Sequence, residues 1–289
     1  MKIGISSYSY YKLTRKGLID CFGIIEKTKE FGFDAIEFSG MPGDTYEERY
    51  KMAKDIKKAC DDCNLLIANY CTGADLVKGS NWNLQTEIDR IKKEIDIAAV
   101  LGVSKMRHDA SFGFGATDPK ARPLDMYLYR LAEGCKKLTE YAKGANIRTM
   151  IENHGRYCQH SCDVLSIYRA VDDDNFGILI DIGNFMCVDQ DPVEAVAQLA
   201  PYAFHVHAKD FHFKSGINMN PGWGWFLTKH GNYLRGSIIG HGDVPLKECI
   251  NILKIYGYDD VLSIEFEGIE DVLSAIENGQ ANLKKLVDM

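Results

Sequence analysis

The chain has 289 residues, 46% of them hydrophobic, and a net charge of −7, a globular composition with enough apolar mass for a large core. The acidic balance gives the phosphates of nucleic acid no general attraction, so nucleic acid is not an expected partner. No run approaches the roughly eighteen apolar residues of a membrane span, and the first ten residues lack a signal-peptide pattern. We therefore expect a cytoplasmic protein without a membrane partner. Nine cysteines, an odd number, indicate free thiols rather than a disulfide framework.

Short β-rich runs recur along the whole chain, separated by segments of helical periodicity. Apolar residues repeat at helical spacing in the gaps, as at Leu124, Leu128 and Leu131 in the fourth gap. Glycine or asparagine, the residues that favour a left-handed helix cap, stands at junctions between helix and strand: Gly32, Asn64, Gly102, Asn146 and Gly257. The predicted strands are 3–8, 35–38, 65–70, 103–107, 148–153, 177–181, 203–208 and 261–266.

Strict alternation of eight strands with helices predicts parallel pairing through right-handed crossovers. Eight such units can close into a (β/α)8 TIM barrel, and we predict one domain of this α/β class over residues 1–289. An open doubly wound sheet is the structural alternative, but neither a GxGxxG fingerprint nor a Walker loop is present. The longest irregular piece predicted is 211–242, and a loop of that length is usually functional.

Four consecutive predicted strands end in residues that bind metals. In a barrel the chemistry lies at the carboxyl ends of the strands, and strands about 4.8 Å apart can bring such side chains together. Three mutually repelling carboxylates would need a cation, and three oxygen ligands with one imidazole suit Mn²⁺ before Mg²⁺ or Co²⁺, with Zn²⁺ as a further candidate. The alternative for each residue is an isolated polar strand end that faces water or a helix cap. The predicted ligands of one divalent ion are Glu152, Asp181, His207 and Glu265.

Other polar residues near these strand ends are candidates for substrate contacts or for structural roles. Alternation along a strand places His154 on the face of Glu152, Lys209 and His205 on the face of His207, and Glu267 on the face of Glu265. His205 lies deeper in its strand, where a hydrogen-bonded core histidine is the expectation. His154 and Lys209 are candidates to hold or protonate a substrate oxygen.

The strand-end motifs Ile-Glu152-Asn-His-Gly, Asp181-Ile-Gly-Asn, His205-Val-His207-Ala-Lys-Asp and Ser-Ile-Glu265-Phe-Glu-Gly resemble the xylose isomerase-like barrel superfamily of sugar isomerases and epimerases. The turn that begins at Gly240 fits this pattern too. The superfamily includes ketose 3-epimerases, inosose dehydratases and isomerases, dehydroshikimate dehydratases and apurinic endonucleases. Carried over by position, the resemblance implies the same four metal ligands.

Some positions depart from the members of this superfamily. Ketose 3-epimerases carry a substrate-holding histidine shortly after the sixth-strand aspartate, where this chain has Asn184, and no arginine follows the seventh-strand histidine closely. Many relatives carry glutamate where His241 stands. Asn184 and His241 are therefore candidate substrate contacts, and a ketose 3-epimerase in the narrow sense is not favoured.

The expected activity is metal-dependent isomerisation or epimerisation of a small sugar or keto-polyol. Glu152 and Glu265 would exchange protons on opposite faces of an enediolate. A keto-sugar lyase or dehydratase is the first alternative, with His154 or His241 as general acid. Phosphodiester cleavage would require more ligands for a zinc cluster, and a metal-stabilised sugar-binding or assembly subunit is a non-enzymatic alternative.

Segment 211–242 is predicted to be a lid, because it leaves the strand that supplies His207 on the catalytic face. Its aromatic residues include Trp223 and Trp225, and indole rings suit the apolar faces of a sugar. Gly222 and Gly224 beside Trp223 give the backbone freedom to move. The alternative is that these aromatics pack in a homo-oligomer interface.

Overall fold

The computed structural model describes residues 1–115 and 117–289. Eight of its parallel strands close into a barrel in which each strand pairs with the next, and the last pairs with the first. The prediction of a (β/α)8 TIM barrel is confirmed. The strands described are β1 (Lys2–Ser6), β2 (Ala35–Ser39), β3 (Leu66–Thr72), β4 (Lys105–His108), β5 (Arg148–Glu152), β6 (Phe176–Asp181), β7 (Ala203–Ala208), β8 (Asp210–Lys214), β9 (Phe226–Leu227), β10 (Tyr233–Ser237) and β11 (Val261–Ile264).

The helices surround the barrel because each of the long ones carries an apolar face. In the helix at 84–101, for example, Ile88, Ile91 and Ile95 are fully buried against the strands. The helices described are α1 (Tyr11–Thr14), α2 (Cys21–Glu30), α3 (Tyr46–Asp62), α4 (Gly79–Trp82), α5 (Leu84–Leu101), α6 (Leu128–Lys143), α7 (Ser161–Val171), α8 (Pro192–Leu199), α9 (Leu246–Ile255) and α10 (Val272–Asp288).

The local signals for element ends agree with the structure to within a few residues. All five predicted cap residues have positive φ, from 55° at Asn64 to 79° at Gly257. The barrel strands start and stop within two residues of the predicted limits, and β11 ends at Ile264, so that Glu265 lies just beyond its strand. None of the helices in the described part of the chain is long and apolar enough to cross a membrane. All nine cysteines are free thiols.

Segment 211–242 is irregular only in part, because three short strands lie within it. The strands β8, β9 and β10 form an antiparallel sheet that stands beyond the end of β7. Asp210 fixes the base of this sheet, because its carboxylate accepts hydrogen bonds from the backbone of Gly240 and Gly242, at 2.8 and 2.9 Å. A side chain at position 242 would collide with that carboxylate, so the close approach requires glycine.

Candidate metal centre and active site

The four predicted metal ligands lie together at the carboxyl ends of their strands. One ligand atom from each of Glu152, Asp181, His207 and Glu265 lies within 4.8 Å of all the others. Nδ1 of His207 is the central atom, 3.7 Å from Asp181 Oδ2 and 3.9 Å from an oxygen of each glutamate. The order of strands β5, β6, β7 and β11 in the barrel places Glu152 and Glu265 at opposite ends of this set.

Two atoms of this set support occupation by a metal ion. His207 Nδ1 is buried and has no hydrogen-bond partner in the described residues, and Asp181 Oδ2, also buried, has only its ion pair with Lys209 Nζ at 3.2 Å there. A buried polar atom without a partner is costly, and these two face the same small space. Three carboxylates and one imidazole are also ligands suited to a divalent cation. The residues therefore fit one such ion.

The charges around the site also favour a bound cation. Arg107 on β4 forms an ion pair with Glu152, its Nε lying 2.6 Å from the carboxylate, and also contacts Asp109. Lys209 Nζ lies 2.5 Å from Glu265 and 3.2 Å from Asp181. In the described residues, Arg107 and Lys209 are the only permanently charged cations that contact the carboxylates of the site. These carboxylates are Asp109, Glu152, Asp181, Glu265 and Glu267. An additional cation would balance the remaining negative charge.

Lys209 is held in its charged form by this surplus. Burial alone would lower the pKa of Lys209, but Asp181, Glu265 and Glu267 overcome burial and raise that pKa well above its usual range. Burial raises the pKa of Glu267, and the charge of Lys209 offsets this rise only in part. Lys209 therefore presents a fixed positive charge at the edge of the ligand set.

Behind His207 stands a carboxylate that sequence reasoning did not single out. Glu37 on β2 is fully buried inside the barrel, with Oε1 2.8 Å from Nε2 of His207 and Oε2 3.1 Å from Nε2 of His205. Burial alone would raise the pKa of Glu37, but the two histidines hold it well below its ordinary value. His205 also contacts Ser263 Oγ at 2.9 Å and is fully buried, as expected of a core histidine.

Two asparagines brace the ligand set, Asn153 after β5 and Asn184 after β6. The Asn184 amide donates to Glu152 Oε1 at 3.1 Å, and its oxygen accepts from Lys209 Nζ at 3.1 Å. Asn153 exchanges hydrogen bonds with the backbone of Asp181, at 2.8 and 2.9 Å. Asn184 thus connects Glu152 with Lys209, and its direct contact with a substrate stays a prediction.

His154 lies on the Glu152 side of the site, paired with a carboxylate. Its Nδ1 is 2.9 Å from Asp109 Oδ1, and its side chain is 40% exposed. Burial would lower the pKa of His154, but the hydrogen bond and charge of Asp109 raise it above the usual value. Because Asp109 engages Nδ1, the other ring nitrogen is the one that can meet a substrate.

The remaining predicted contacts do not lie in the ligand set. His241 is exposed in the turn fixed by Asp210. Trp223 is 83% exposed, whereas Trp225 lies under the guanidinium of Arg235 at 5.6 Å. A role in substrate binding for these three residues stays a prediction.

Sequence reasoning missed Glu37, Arg107 and Asp109 as site residues. A signal was available: both faces of a barrel strand are buried, by helices outside and by side chains inside, so a charged residue within a strand must have a buried partner. Glu37 and Arg107 lie within β2 and β4, and Asp109 follows β4 directly.

Fold and site together define a (β/α)8 barrel protein with a metal-type ligand set at the carboxyl ends of its strands. The chain belongs to the xylose isomerase-like TIM barrel family, whose model matches residues 25–286. It is similar to an inosose dehydratase from Lacticaseibacillus casei, with 23% identity over 252 residues that cover 84% of this chain and 83% of the relative.

Solved structures with the same fold include an epimerase and a zinc-binding protein. The 3-keto-D-glucoside 4-epimerase from E. coli superposes with a TM-score of 0.73 at 17% identity, covering 99% of each chain. The protein IOLI with a bound zinc atom superposes with a TM-score of 0.73 at 18% identity, covering 100% of this chain and 98% of that one. At this level of identity the likeness shows the fold.

Proposed function

We propose that the protein is a divalent-metal-dependent isomerase or epimerase of a small sugar or keto-polyol. Glu152, Asp181, His207 and Glu265 would hold one ion, for which three oxygens and one nitrogen favour Mn²⁺ over Mg²⁺, Co²⁺ or Zn²⁺. The buried His207 Nδ1, which has no hydrogen-bond partner in the described residues and lies 3.7 Å from Asp181 Oδ2, supports the metal site. The zinc reported for IOLI supports a divalent ion without deciding which.

The placement of the two glutamates is the observation that carries this proposal. Glu152 and Glu265 come from opposite ends of the ligand set, each 3.9 Å from His207 Nδ1, so a substrate carbon between them would meet one carboxylate on each face. A divalent ion, when bound, supplies Lewis-acid polarisation that acidifies a hydrogen next to a carbonyl.

The proton transfers would then be made by this chain's own carboxylates. One glutamate removes the hydrogen from the carbon next to the carbonyl, and the other returns a proton from the opposite face. Return to the same carbon inverts its configuration, and return to the former carbonyl carbon moves the carbonyl. Arg107 fixes the Glu152 carboxylate, and Lys209 fixes that of Glu265.

Two further groups would hold the substrate in this arrangement. Lys209 Nζ is directed between Asp181 and Glu265, where it can donate to a substrate oxygen. His154 offers its second ring nitrogen from the Glu152 side. Lys209 and His154 would thus bind oxygens on neighbouring carbons of the substrate from its two ends and fix its orientation.

Turnover in deuterated water tests this proposal. Protein loaded with Mn²⁺ is incubated with ketoses, inososes and 3-keto-glycosides, and NMR follows the hydrogens next to the carbonyl. We expect isomerised product with deuterium at the reacting carbon, and one bound ion per chain by metal analysis. Product that retains all its original hydrogen would contradict proton transfer through the glutamates.

A dehydratase is the second candidate, and the pair of His154 with Asp109 favours it. One glutamate would take the hydrogen next to the carbonyl, and His154 would give its proton to the departing hydroxyl, so that water leaves and a carbon-carbon double bond forms. The likeness to an inosose dehydratase supports this candidate. Loss of 18 mass units from the substrate, about one water, distinguishes it from isomerisation.

A further inference from the structure

A wide groove opens on the catalytic face of the barrel, in the loops that follow β1 and β2. Its volume is about 850 Å³. Pockets of roughly 300–1,000 Å³ hold drug-sized ligands, so the groove has room for a group of that size. Aromatic and aliphatic side chains dominate its lining, among them Tyr8, Tyr11, Leu18, Phe22, Phe38 and Met52.

Tyr8 and Tyr11 connect this groove to the active site. Their rings stack at 5.4 Å, and both also line a second cavity of about 360 Å³ that contains Glu267 and Phe226. Burial raises the pKa of Tyr8 to about 12, with the nearby charges of Glu267 and Glu265 adding to it. Tyr8 therefore borders both the groove and the cavity that contains Glu267.

The turn that carries Tyr8 is fixed against the strand that precedes Glu265. Ser9 is buried, and its Oγ donates to the carbonyl of Ile264 at 3.1 Å and accepts from the backbone of Phe266 at 3.0 Å. These bonds hold residues on both sides of Glu265 against the turn Ser7–Tyr10. The groove and the metal centre thus have a fixed relative position.

The groove is unsuited to a phosphate. Among the described residues that line it there is neither lysine nor arginine. The start of α2, which could otherwise bind an anion, is already occupied by the carboxylate of Asp20, which accepts from Phe22 and Gly23 at 3.1 and 2.8 Å. An uncharged apolar group is the chemistry that this lining accepts.

We infer that the substrate is a glycoside, or a similarly substituted sugar, whose apolar aromatic substituent lies in this groove while its sugar ring lies over the metal centre. The inference rests on the proposed function for the position of the sugar ring. It adds a substrate class: the protein would prefer sugars with a large uncharged substituent to free or phosphorylated monosaccharides.

Direct binding measurements separate this inference from the proposed reaction. Phenyl β-D-glucoside, methyl β-D-glucoside, glucose and glucose 6-phosphate are titrated by calorimetry into protein loaded with Mn²⁺. We expect the phenyl glucoside to bind about tenfold more tightly than the methyl glucoside, because the phenyl ring buries apolar surface in the groove. This result does not depend on turnover.

Variants on the rim of the groove locate the effect. Leu18, which is 70% exposed, and Phe22 are replaced together by alanine, and Ile255→Ala is the matched control, an exposed apolar residue at the end of α9. The double variant should lose the preference for phenyl while keeping its metal content, and the control should keep both. Equal affinity for phenyl and methyl glucosides, tighter binding of glucose 6-phosphate, no binding of any glucoside, or an unchanged preference in the double variant would each overturn the inference.

Discussion

Oε1 of Glu37 lies 2.8 Å from Nε2 of His207, on the side of the imidazole ring opposite the three carboxylates of the ligand set. A carboxylate behind a metal-binding histidine fixes the orientation of the ring and increases its basicity as a ligand. Glu37 is thus placed to make Nδ1 of His207 the nitrogen that faces the ion.

We therefore predict that Glu37→Gln weakens metal binding. The amide keeps the volume of the buried side chain but lacks its charge, and loss of such an outer carboxylate typically costs 10- to 100-fold, about 1.4 to 2.8 kcal/mol, in metal affinity. Competition with a chelating dye measures the affinity. Ser263→Ala is the control, because the Ser263 hydroxyl bonds to His205 in the same network, whereas no hydrogen bond joins that hydroxyl to His207 in the described residues. Equal affinities in the wild type and Glu37→Gln would contradict this role.

Substitution by glutamine should distinguish the two glutamates of the ligand set, Glu152 and Glu265, from the neighbouring Glu267. Glu152→Gln and Glu265→Gln each remove a proton carrier and a ligand charge, and we expect kcat to fall by about 10²- to 10⁴-fold with the barrel still folded. Glu267→Gln makes the same change of charge 3.6 Å from Lys209 but outside the ligand set. It should retain its metal and most of its activity. Near wild-type activity in either of the first two variants would refute the two-carboxylate mechanism.

The pair of His154 with Asp109 predicts a dependence of stability on pH. The pKa of His154 in the folded chain is raised above 6.5, so its charged form is stabilised by folding. That contribution is complete below pH 6.5 and is lost as pH rises through the raised pKa. In urea unfolding with chelator present, His154→Asn should therefore lower the free energy of unfolding more at pH 6 than at pH 9.

The Asp109→Asn background is the control for this effect. Because Asp109 supplies the hydrogen bond and the largest charge effect that raise the pKa of His154, the pH dependence of the His154→Asn effect should shrink in that background. An effect of His154→Asn that grows between pH 6 and pH 9 would show that the histidine is not held in its charged form.

The fold, and the convergence of Glu152, Asp181, His207 and Glu265, could be predicted because both depend on short stretches of sequence. Alternation of strand and helix fixes parallel pairing, and parallel strands bring their carboxyl ends to one face. Polar residues that end apolar strands, such as Glu152 and Asp181, therefore stand out. The closed barrel of the structure and the family match agree with this reasoning.

Glu37 signals a buried partner as a charged residue within a barrel strand, but neither the identity of that partner nor the groove beside Tyr8 could be predicted from local sequence. Ile-Glu37-Phe resembles the alternation of a strand with one face in water, but inside a barrel that second face is the interior. The partners of Glu37 come from β7, far along the chain, and the groove is made by loops after two different strands. Such relationships depend on barrel closure, which local periodicity does not encode.

The segment between β8 and β10 supports a last prediction, about Trp223. The residue is 83% exposed, and Ile217 and Met219 in the same segment are also exposed. Exposed apolar residues near an active site suit either a lid that closes over a substrate or an interface between subunits. Phe226 in the same segment lines the cavity that contains Glu267, and this contact with the site favours the lid.

Replacing Trp223 and Trp225 by alanine distinguishes the two roles. For a lid, we expect kcat/KM to fall at least about tenfold with unchanged metal content and unchanged mass by light scattering, because an open site admits water. Ile255→Ala is the matched control, since it removes an exposed apolar group at the end of α9, outside this segment. A lower mass together with full activity per chain would instead identify the segment as an interface, because a residue that only joins subunits need not touch the substrate.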